Sequence, residues 1–310
     1  IATSFTIIRR LKQKGVAIIY ISHRMSEIKE IADVVSVLKD GAYMGTYPVP
    51  STDTSVIVTR MVGRELQQEH YVSHARQEVA LEVKGLSGNG FEDISFTLRK
   101  GEILGIAGLQ GSGRTALALA VFGDTGYRAG EIFKEGARIH PQHPAAAIKA
   151  GIAYLPEERK ESGLFMEQSV ADNIIAAKLE KGYYNRAANN RVSAGFAGKL
   201  RIATPSLQQN VQKLSGGNQQ KVVLAKWLHT EPDIFIVNEP THGVDVGAKA
   251  DIYRHLKEIT AAGKSILLIS SELPELLLLS DRIAVMYNGH MQGFLAHEEA
   301  TEEKITAMAS

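Results

Sequence analysis

The chain contains no cysteine among its 310 residues. Disulfide and thiolate chemistry are therefore excluded, and the composition is compatible with a reducing compartment. It has almost no net charge either: 35 Lys and Arg stand against 34 Asp and Glu, a formal balance of +1. Such a balance offers no field for steering a nucleic acid, so no nucleic-acid partner is expected. No apolar run is long enough to span a bilayer. The densest, Leu276–Leu279, is closed off by Glu275 and Asp281 and suits a buried helix. No signal-peptide pattern is read at the start of the given sequence, and a membrane role is expected to pass through a partner. The first residue is Ile1 rather than methionine, and it starts inside a helical pattern; a chain with its upstream part missing is the expectation. What is present is ordinary for a globular protein: 44% hydrophobic and 22% charged residues, enough chain for one large α/β unit and part of another.

An internal repeat organises this material. GVAIIYISHRMSEIKEIADVVSVLKDGAYMG, from Gly15, aligns without gaps to GKSILLISSELPELLLLSDRIAVMYNGHMQG, from Gly263, at a constant offset of 248. Each copy reads as strand, helix, strand and glycine turn. Two related domains follow. Residues 1–66 are expected to be the C-terminal remnant of a first domain, and residues 67–78 a polar linker. Residues 79–310 form a complete second domain. Within it, LEVKGL and ISFTL read as edge strands of an antiparallel layer. IFIVN, SILLIS and RIAVMY are continuous apolar runs of the kind found in parallel strands buried on both faces. Residues 157–213 read as a mostly helical, polar insert. The fold class is α/β: a parallel core sheet, an antiparallel β layer and a helical subdomain.

Several short strings carry chemistry. LSGGNQQK, from Leu214 to Lys221, places Ser215, Gly216, Gly217 and Asn218 at the mouth of a helix. Free backbone N–H groups, a hydroxyl and the positive end of a helix dipole converge there, which attracts phosphate. GLQGSGRT fits the spacing of a phosphate-binding P-loop, with Arg114 at the expected lysine position. Gly108, Gly111, Ser112 and Gly113 let backbone amides close around phosphates, and Thr115 offers a hydroxyl to magnesium. Arg114 can still pair with phosphate, although its planar fork does not replace a compact ammonium without loss. The alternative for this loop is a plain turn; an apolar strand before it and the helix ALALAVF after it favour the site. For Asn238 and Glu239 the bland alternative is a strand cap, and for Asp245 a helix N-cap. GIAYLPEERKESGLF, with Glu157 and Glu158, reads equally as a solvated charged loop. Phe91, near the glycine loop in sequence, is either an aromatic face for a ligand or core packing, and Trp227 is a candidate for packing.

Taken together, GLQGSGRT, YLPEERKESGLF, LSGGNQQKV, EPTHGVDVGAK and SSELPELLLLSDRI closely resemble the ATP-binding subunits of bacterial sugar-type ABC importers. These form the ribose, galactofuranose and autoinducer-2 group, in which two cassettes are fused in one polypeptide. The resemblance implies a P-loop ABC ATPase cassette preceded by the remnant of another. It implies ATP and Mg2+ as cofactors and a location on the cytoplasmic face of the bacterial inner membrane. The partners implied are permease subunits, a facing cassette and, indirectly, a periplasmic solute-binding protein. The signature at Ser215 would cap the γ-phosphate of ATP held by the facing cassette. Glu239 would polarise the attacking water, and Asn238 stands where the family places an aspartate in the magnesium shell. Glu157 or Glu158 falls near the Q-loop glutamine, and Asp245 in the D-loop that crosses the cassette interface. His23 would contact a γ-phosphate; its counterpart in the second copy is Ser271, which can hydrogen-bond phosphate but cannot carry a proton at neutral pH. His242 stands where arginine is common, and the usual aromatic that stacks on adenine is not evident. The departures at Asn238, Arg114 and Ser271 open an alternative, a regulatory cassette that binds nucleotide but hydrolyses little. A soluble twin-cassette protein acting on ribosomes or DNA is the third reading, and the near-neutral charge argues against it.

Overall fold

A computed structural model describes residues 2–22, 25–39, 41–62, 71–179 and 185–310 of the chain. The chain divides into two units: Ile1–His70 with Asp245–Ala250, and Tyr71–Val244 with Asp251–Ser310. In the first, α1 (Ala2–Gln13) and α2 (Met25–Ile31) precede an antiparallel pair, β1 (Val34–Lys39) and β2 (Ala42–Pro48), and then α3 (Thr54–Val62). Residues 16–22, read from sequence as a strand, are not one. Ile19 and Ile21 are 94% and 93% exposed. The reason is physical: a strand that is apolar on both faces is stable only between two neighbours, and among the described residues none pairs with this segment.

From Val79 the second unit runs β3 (Val79–Gly88), β4 (Phe91–Arg99), β5 (Ile103–Gly108), α4 (Arg114–Phe122), β6 (Tyr127–Lys134) and β7 (Ala137–Ile139). Next come α5 (Pro144–Lys149), β8 (Ile152–Leu155), α6 (Val170–Ile175), α7 (Arg186–Lys199), α8 (Gly216–Leu228), β9 (Ile234–Asn238) and α9 (Val246–Ala261). The chain ends with β10 (Ser265–Ile269), α10 (Leu273–Leu279), β11 (Arg282–Tyr287), β12 (His290–Ala296) and α11 (Glu302–Met308). A six-stranded sheet in the order β12-β11-β5-β10-β9-β8 is parallel except for its last pair, β11 with β12. Every residue of β8, β9 and β10 is buried, as their unbroken apolar runs require. A second sheet, β4-β3-β6-β7, is antiparallel. β3 lies inside this sheet rather than at its edge, because β6 covers the side that LEVKGL alone leaves open. Between β8 and α8 lie α6 and α7, in the region read as helical.

The repeat is structural as well as sequential. α2, β1 and β2 recur as α10, β11 and β12 at the same offset of 248. Even the irregularity between Val37 and Leu38 recurs between Val285 and Met286. Residues 71–78, part of the expected linker, are tied to the second unit; residues 67–70 lie outside the described residues. The Tyr71 hydroxyl donates to Asp281 Oδ1 at 2.7 Å, its ring stacks on His297 at 3.5 Å, and Asp281 Oδ2 accepts from the Ile103 amide at 2.7 Å.

One core contact predicts an unusual pH dependence. Lys226 on α8 is 7% exposed and donates to the Gly163 carbonyl. Burial pushes its ammonium down from the ordinary 10.5 to about 8. Between those values the folded chain sheds a proton that the unfolded chain keeps, so stability rises with pH across that window and is lost as pH falls through it. Relative to Lys226→Met, the natural chain should gain about 3 kcal/mol between pH 8 and 10.5. Urea unfolding of both proteins at three pH values checks this, and a difference independent of pH would contradict it.

Candidate functional site

The glycine loop sits where the buried strand β5 ends and α4 begins. Gly113 has φ +95, and a Cβ there would lie 2.2 Å from the Gly90 carbonyl oxygen, so only glycine lets the loop close this tightly. Ser112 is anchored through its backbone: its amide donates to Leu109 O at 3.0 Å and its carbonyl accepts from Gly289 N at 3.1 Å. Its hydroxyl is buried and has no partner among the described residues. An open cleft rises over this loop. Gly111 to Thr115 line it together with Glu157, Glu239, His242 and Ser271.

Glu239 and Ser271 follow the ends of β9 and β10, and Asn238, the last residue of β9, lies buried behind the cleft lining. Asn238, 1% exposed, donates from Nδ2 to Thr115 Oγ1 and to the Tyr154 hydroxyl, each at 3.3 Å; its buried Oδ1 has no partner. Burial raises the Tyr154 phenol, so it stays protonated. Glu239 holds a left-handed conformation, φ +48, costly for a residue with a Cβ. Its amide donates to Ile269 O at 2.8 Å, which pins the strain to the neighbouring strand. Its Oε2 accepts from Ser271 Oγ at 3.0 Å. Arg114 is 8% exposed; Nη1 donates to the Ser270 carbonyl at 2.6 Å and lies 4.0 Å from Glu239 Oε1. Burial lowers the guanidinium pKa and Glu239 opposes that shift. The cation is thus held between the loop and the candidate catalytic carboxylate.

The other phosphate-binding candidate lies elsewhere. Ser215 is the exposed N-cap of α8, yet its side chain does not cap the helix. Its Oγ instead accepts from Asn218 Nδ2 at 2.9 Å, while Asn218 Oδ1 accepts from the Ala203 amide at 2.8 Å. Ser215, Gly216, Gly217 and Asn218 do not line the cleft. A phosphate on this helix start would have to come from elsewhere than the cleft. Asp245 Oδ1 accepts from Ala248 N at 2.9 Å, the geometry of an N-cap for α9. His23 lies outside the described residues. Phe91 is 3% exposed and packs in the core, so it offers no face to an adenine; Trp227 meets Phe122 edge-on at 5.7 Å. Sequence reasoning passed over Tyr154, the Ser270 carbonyl, and Arg159, whose guanidinium reaches the loop after Glu239 and the first turn of α8. No periodicity marks any of them.

The loop amides, the orphaned Ser112 hydroxyl and the open cleft fit the phosphates of a nucleotide. Beside the glycine loop, magnesium would meet the Thr115 hydroxyl and one amide, with no carboxylate at position 238; the Glu239 carboxylate lines the same cleft, and Glu157, Glu158 and His242 bring ligand atoms within 4.8 Å of one another. Such a set suits an ion brought in on phosphate oxygens, not one caged by protein.

A parallel core sheet with an antiparallel layer, a glycine loop at the end of β5 and a separate Ser-Gly helix start give the second unit the fold of an ABC cassette. Residues 91–242 match the ABC transporter family model. Along its whole length the chain is similar to the ATP-binding proteins of sugar import systems. A protein of Albidiferax ferrireducens named for ribose, galactose and methyl galactoside import is 48% identical over 99% of this chain and 62% of its own length. A ribose import ATP-binding protein of Clostridium tetani is 45% identical over 98% of this chain and 62% of its own. The chain thus spans about three fifths of the curated relatives it matches. A solved ATP-binding cassette of an ABC transporter superposes with a TM-score of 0.67 over 75% of this chain and 99% of its own, at 22% identity. A dimeric, ADP-and-phosphate-bound cassette gives 0.62 at 17% identity, over 70% of this chain and 98% of its own. These structural likenesses concern the fold. Among the described residues no helix is long and apolar enough to cross a membrane.

Proposed function

We propose that this chain is part of an ATP-binding subunit that drives uptake of a monosaccharide-type solute through a membrane permease. The observation that carries the reading is a cleft uniting the glycine loop with Glu239 and Ser271, while the Ser215 helix start stays outside it. The loop from Gly108 to Thr115 would hold the phosphates of ATP, and Thr115, with Asn238 close by, would hold an Mg2+ that supplies charge neutralisation there. Glu239 polarises the attacking water, steadied by the Ser271 hydroxyl in the place of a histidine. Ser215 to Asn218 cap nucleotide held by a facing cassette, and Asp245 lies at that interface. Residues 1–66 are the end of a first cassette, and His23 serves its site. Glu157 relays the occupancy of the cleft towards the permease. The subunit sits peripherally on the cytoplasmic face of the membrane, and a solute-binding protein delivers cargo to the permease from the far side. The names of the relatives favour driven import over the regulatory alternative.

The test is Ser215→Arg in a polypeptide carrying both cassettes. A bulky cation at the helix start blocks phosphate approach from the facing cassette, and uptake of radiolabelled ribose or galactose should fall at least tenfold, about 1.4 kcal/mol in rate terms. Unchanged uptake would remove the clamp from the mechanism.

A further inference from the structure

Arg159 opens a short π-helical turn, Arg159–Gly163, two residues after Glu157 at the cleft wall. All three nitrogens of its guanidinium are engaged. Nη1 donates to the His242 carbonyl at 2.6 Å and Nη2 to the Gly243 carbonyl at 3.0 Å. Nε donates to Gln219 Oε1 at 3.3 Å. The first two acceptors belong to the loop that leaves Glu239; the third is a buried side chain on the first turn of α8. At Gly216 a Cβ would fall 2.7 Å from Arg159 Nη2 and 2.9 Å from Gly243 O. The helix start and the loop after Glu239 are therefore in close contact, with the guanidinium between them and no room for a side chain. Lys226, two turns further along α8 from Gln219, holds the other end of the turn at Gly163.

From this arrangement we infer that Arg159 is a positioning residue that transmits occupancy of the cleft to the Ser215 end of α8. His242 lines the cleft and hands its carbonyl to Arg159, and Arg159 in turn holds Gln219. A shift of the 239–243 loop around bound nucleotide must drag the guanidinium, and the guanidinium must drag the first turn of α8. Ser215 would then be presented to a facing cassette only when the cleft on its own side is filled. The planar fork suits this task because its bonds diverge towards two different elements, which a single ammonium cannot match. The inference rests on the nucleotide reading of the cleft.

Amide hydrogen exchange on the 310-residue chain, with and without Mg-ATP, tests it. In the natural chain, ATP should slow exchange at least threefold both at residues 239–243 and at residues 216–219. In Arg159→Gln, ATP should bind within threefold of the natural affinity and still slow 239–243, while 216–219 no longer respond. A response at 216–219 that survives in Arg159→Gln, or none there in the natural chain, overturns the inference. A natural chain that binds no ATP in a prior titration overturns the nucleotide reading and the inference with it, and is recognised before any variant is made. If Arg159→Gln does not fold, Arg159→Lys takes its place. It keeps the charge and reach to the two carbonyls but loses the bond to Gln219, so the same loss of response at 216–219 is expected.

Discussion

Replacing Gly113 with alanine should weaken ATP binding by roughly 100-fold or more, about 2.7 kcal/mol. Two costs act together. The position holds φ +95, which a Cβ disfavours by about 1–2 kcal/mol. The new methyl would also stand 2.2 Å from the Gly90 carbonyl oxygen and 3.4 Å from Gly289 Cα. Both neighbours are backbone, so no side chain can swing aside. The loop itself must open, and the amides that converge on phosphate lose their common focus. Gly111→Ala separates the two costs: it has φ +84 but nothing within 4 Å of its Cβ, so only the backbone penalty applies and about a tenfold loss is expected. Gly136→Ala, also at positive φ with open space around it but outside the cleft, should leave affinity unchanged. Titration of the three variants with a fluorescent ATP analogue, with melting curves to show that each is folded, checks the order. Binding by Gly113→Ala within threefold of the natural chain would break the link between loop closure and nucleotide.

The parts of this molecule legible in the sequence were those encoded locally. The apolar runs of β9 and β10 announced strands buried on both faces, because nothing polar interrupts them. The glycine spacing at 108–115 announced a loop on a strand end, because left-handed backbone is a local demand. The repeat announced α10, β11 and β12 from α2, β1 and β2. Failures came where the outcome depends on a partner distant in sequence. Residues 16–22 carry the same apolar pattern as β10, but among the described residues no strand pairs with them, and they stay exposed. β3 looks like an edge from its own residues and becomes interior through β6. Phe91 offered an aromatic near the cleft, but Gly88 leaves room for its ring and it turns into the core. Within the cleft, the types of residue were readable and their bonds were not. Nothing in SSEL or VNEP says that Ser271 gives its hydroxyl to Glu239, or that Arg114 spends an N–H on the Ser270 carbonyl. Those contacts exist because β9 and β10 are adjacent and parallel, a fact of topology rather than of composition. Arg159 was invisible for the same reason, since its three acceptors lie 60 to 84 residues away.

Asn238→Asp should produce opposite effects in the empty and the loaded protein. The site is 1% exposed, and Asn238 donates from its amide to Thr115 and Tyr154. A carboxylate in its place accepts from both hydroxyls but adds a buried charge with no cation to balance it. Arg114 is committed to Ser270 and Glu239. The empty chain should therefore lose about 1–3 kcal/mol, seen as a fall in melting temperature of about 5 °C. Magnesium reverses the sign. With Mg-ATP in the cleft, the new carboxylate supplies the charged oxygen that the natural site lacks, and the ion binds more tightly. Affinity for Mg2+ in the presence of ATP should improve about tenfold, and the loaded variant should recover its melting temperature through that binding. Turnover in a polypeptide carrying both cassettes should rise by a similar factor, and Glu239→Gln should abolish it in either background. Calorimetric unfolding with and without Mg-ATP reads the stability change, and a magnesium titration at saturating ATP reads the affinity. If the empty variant melts with the natural chain and magnesium binds no better, the amide at 238 is not what limits the metal. The loss of the aspartate would then have no consequence for the ATPase cycle.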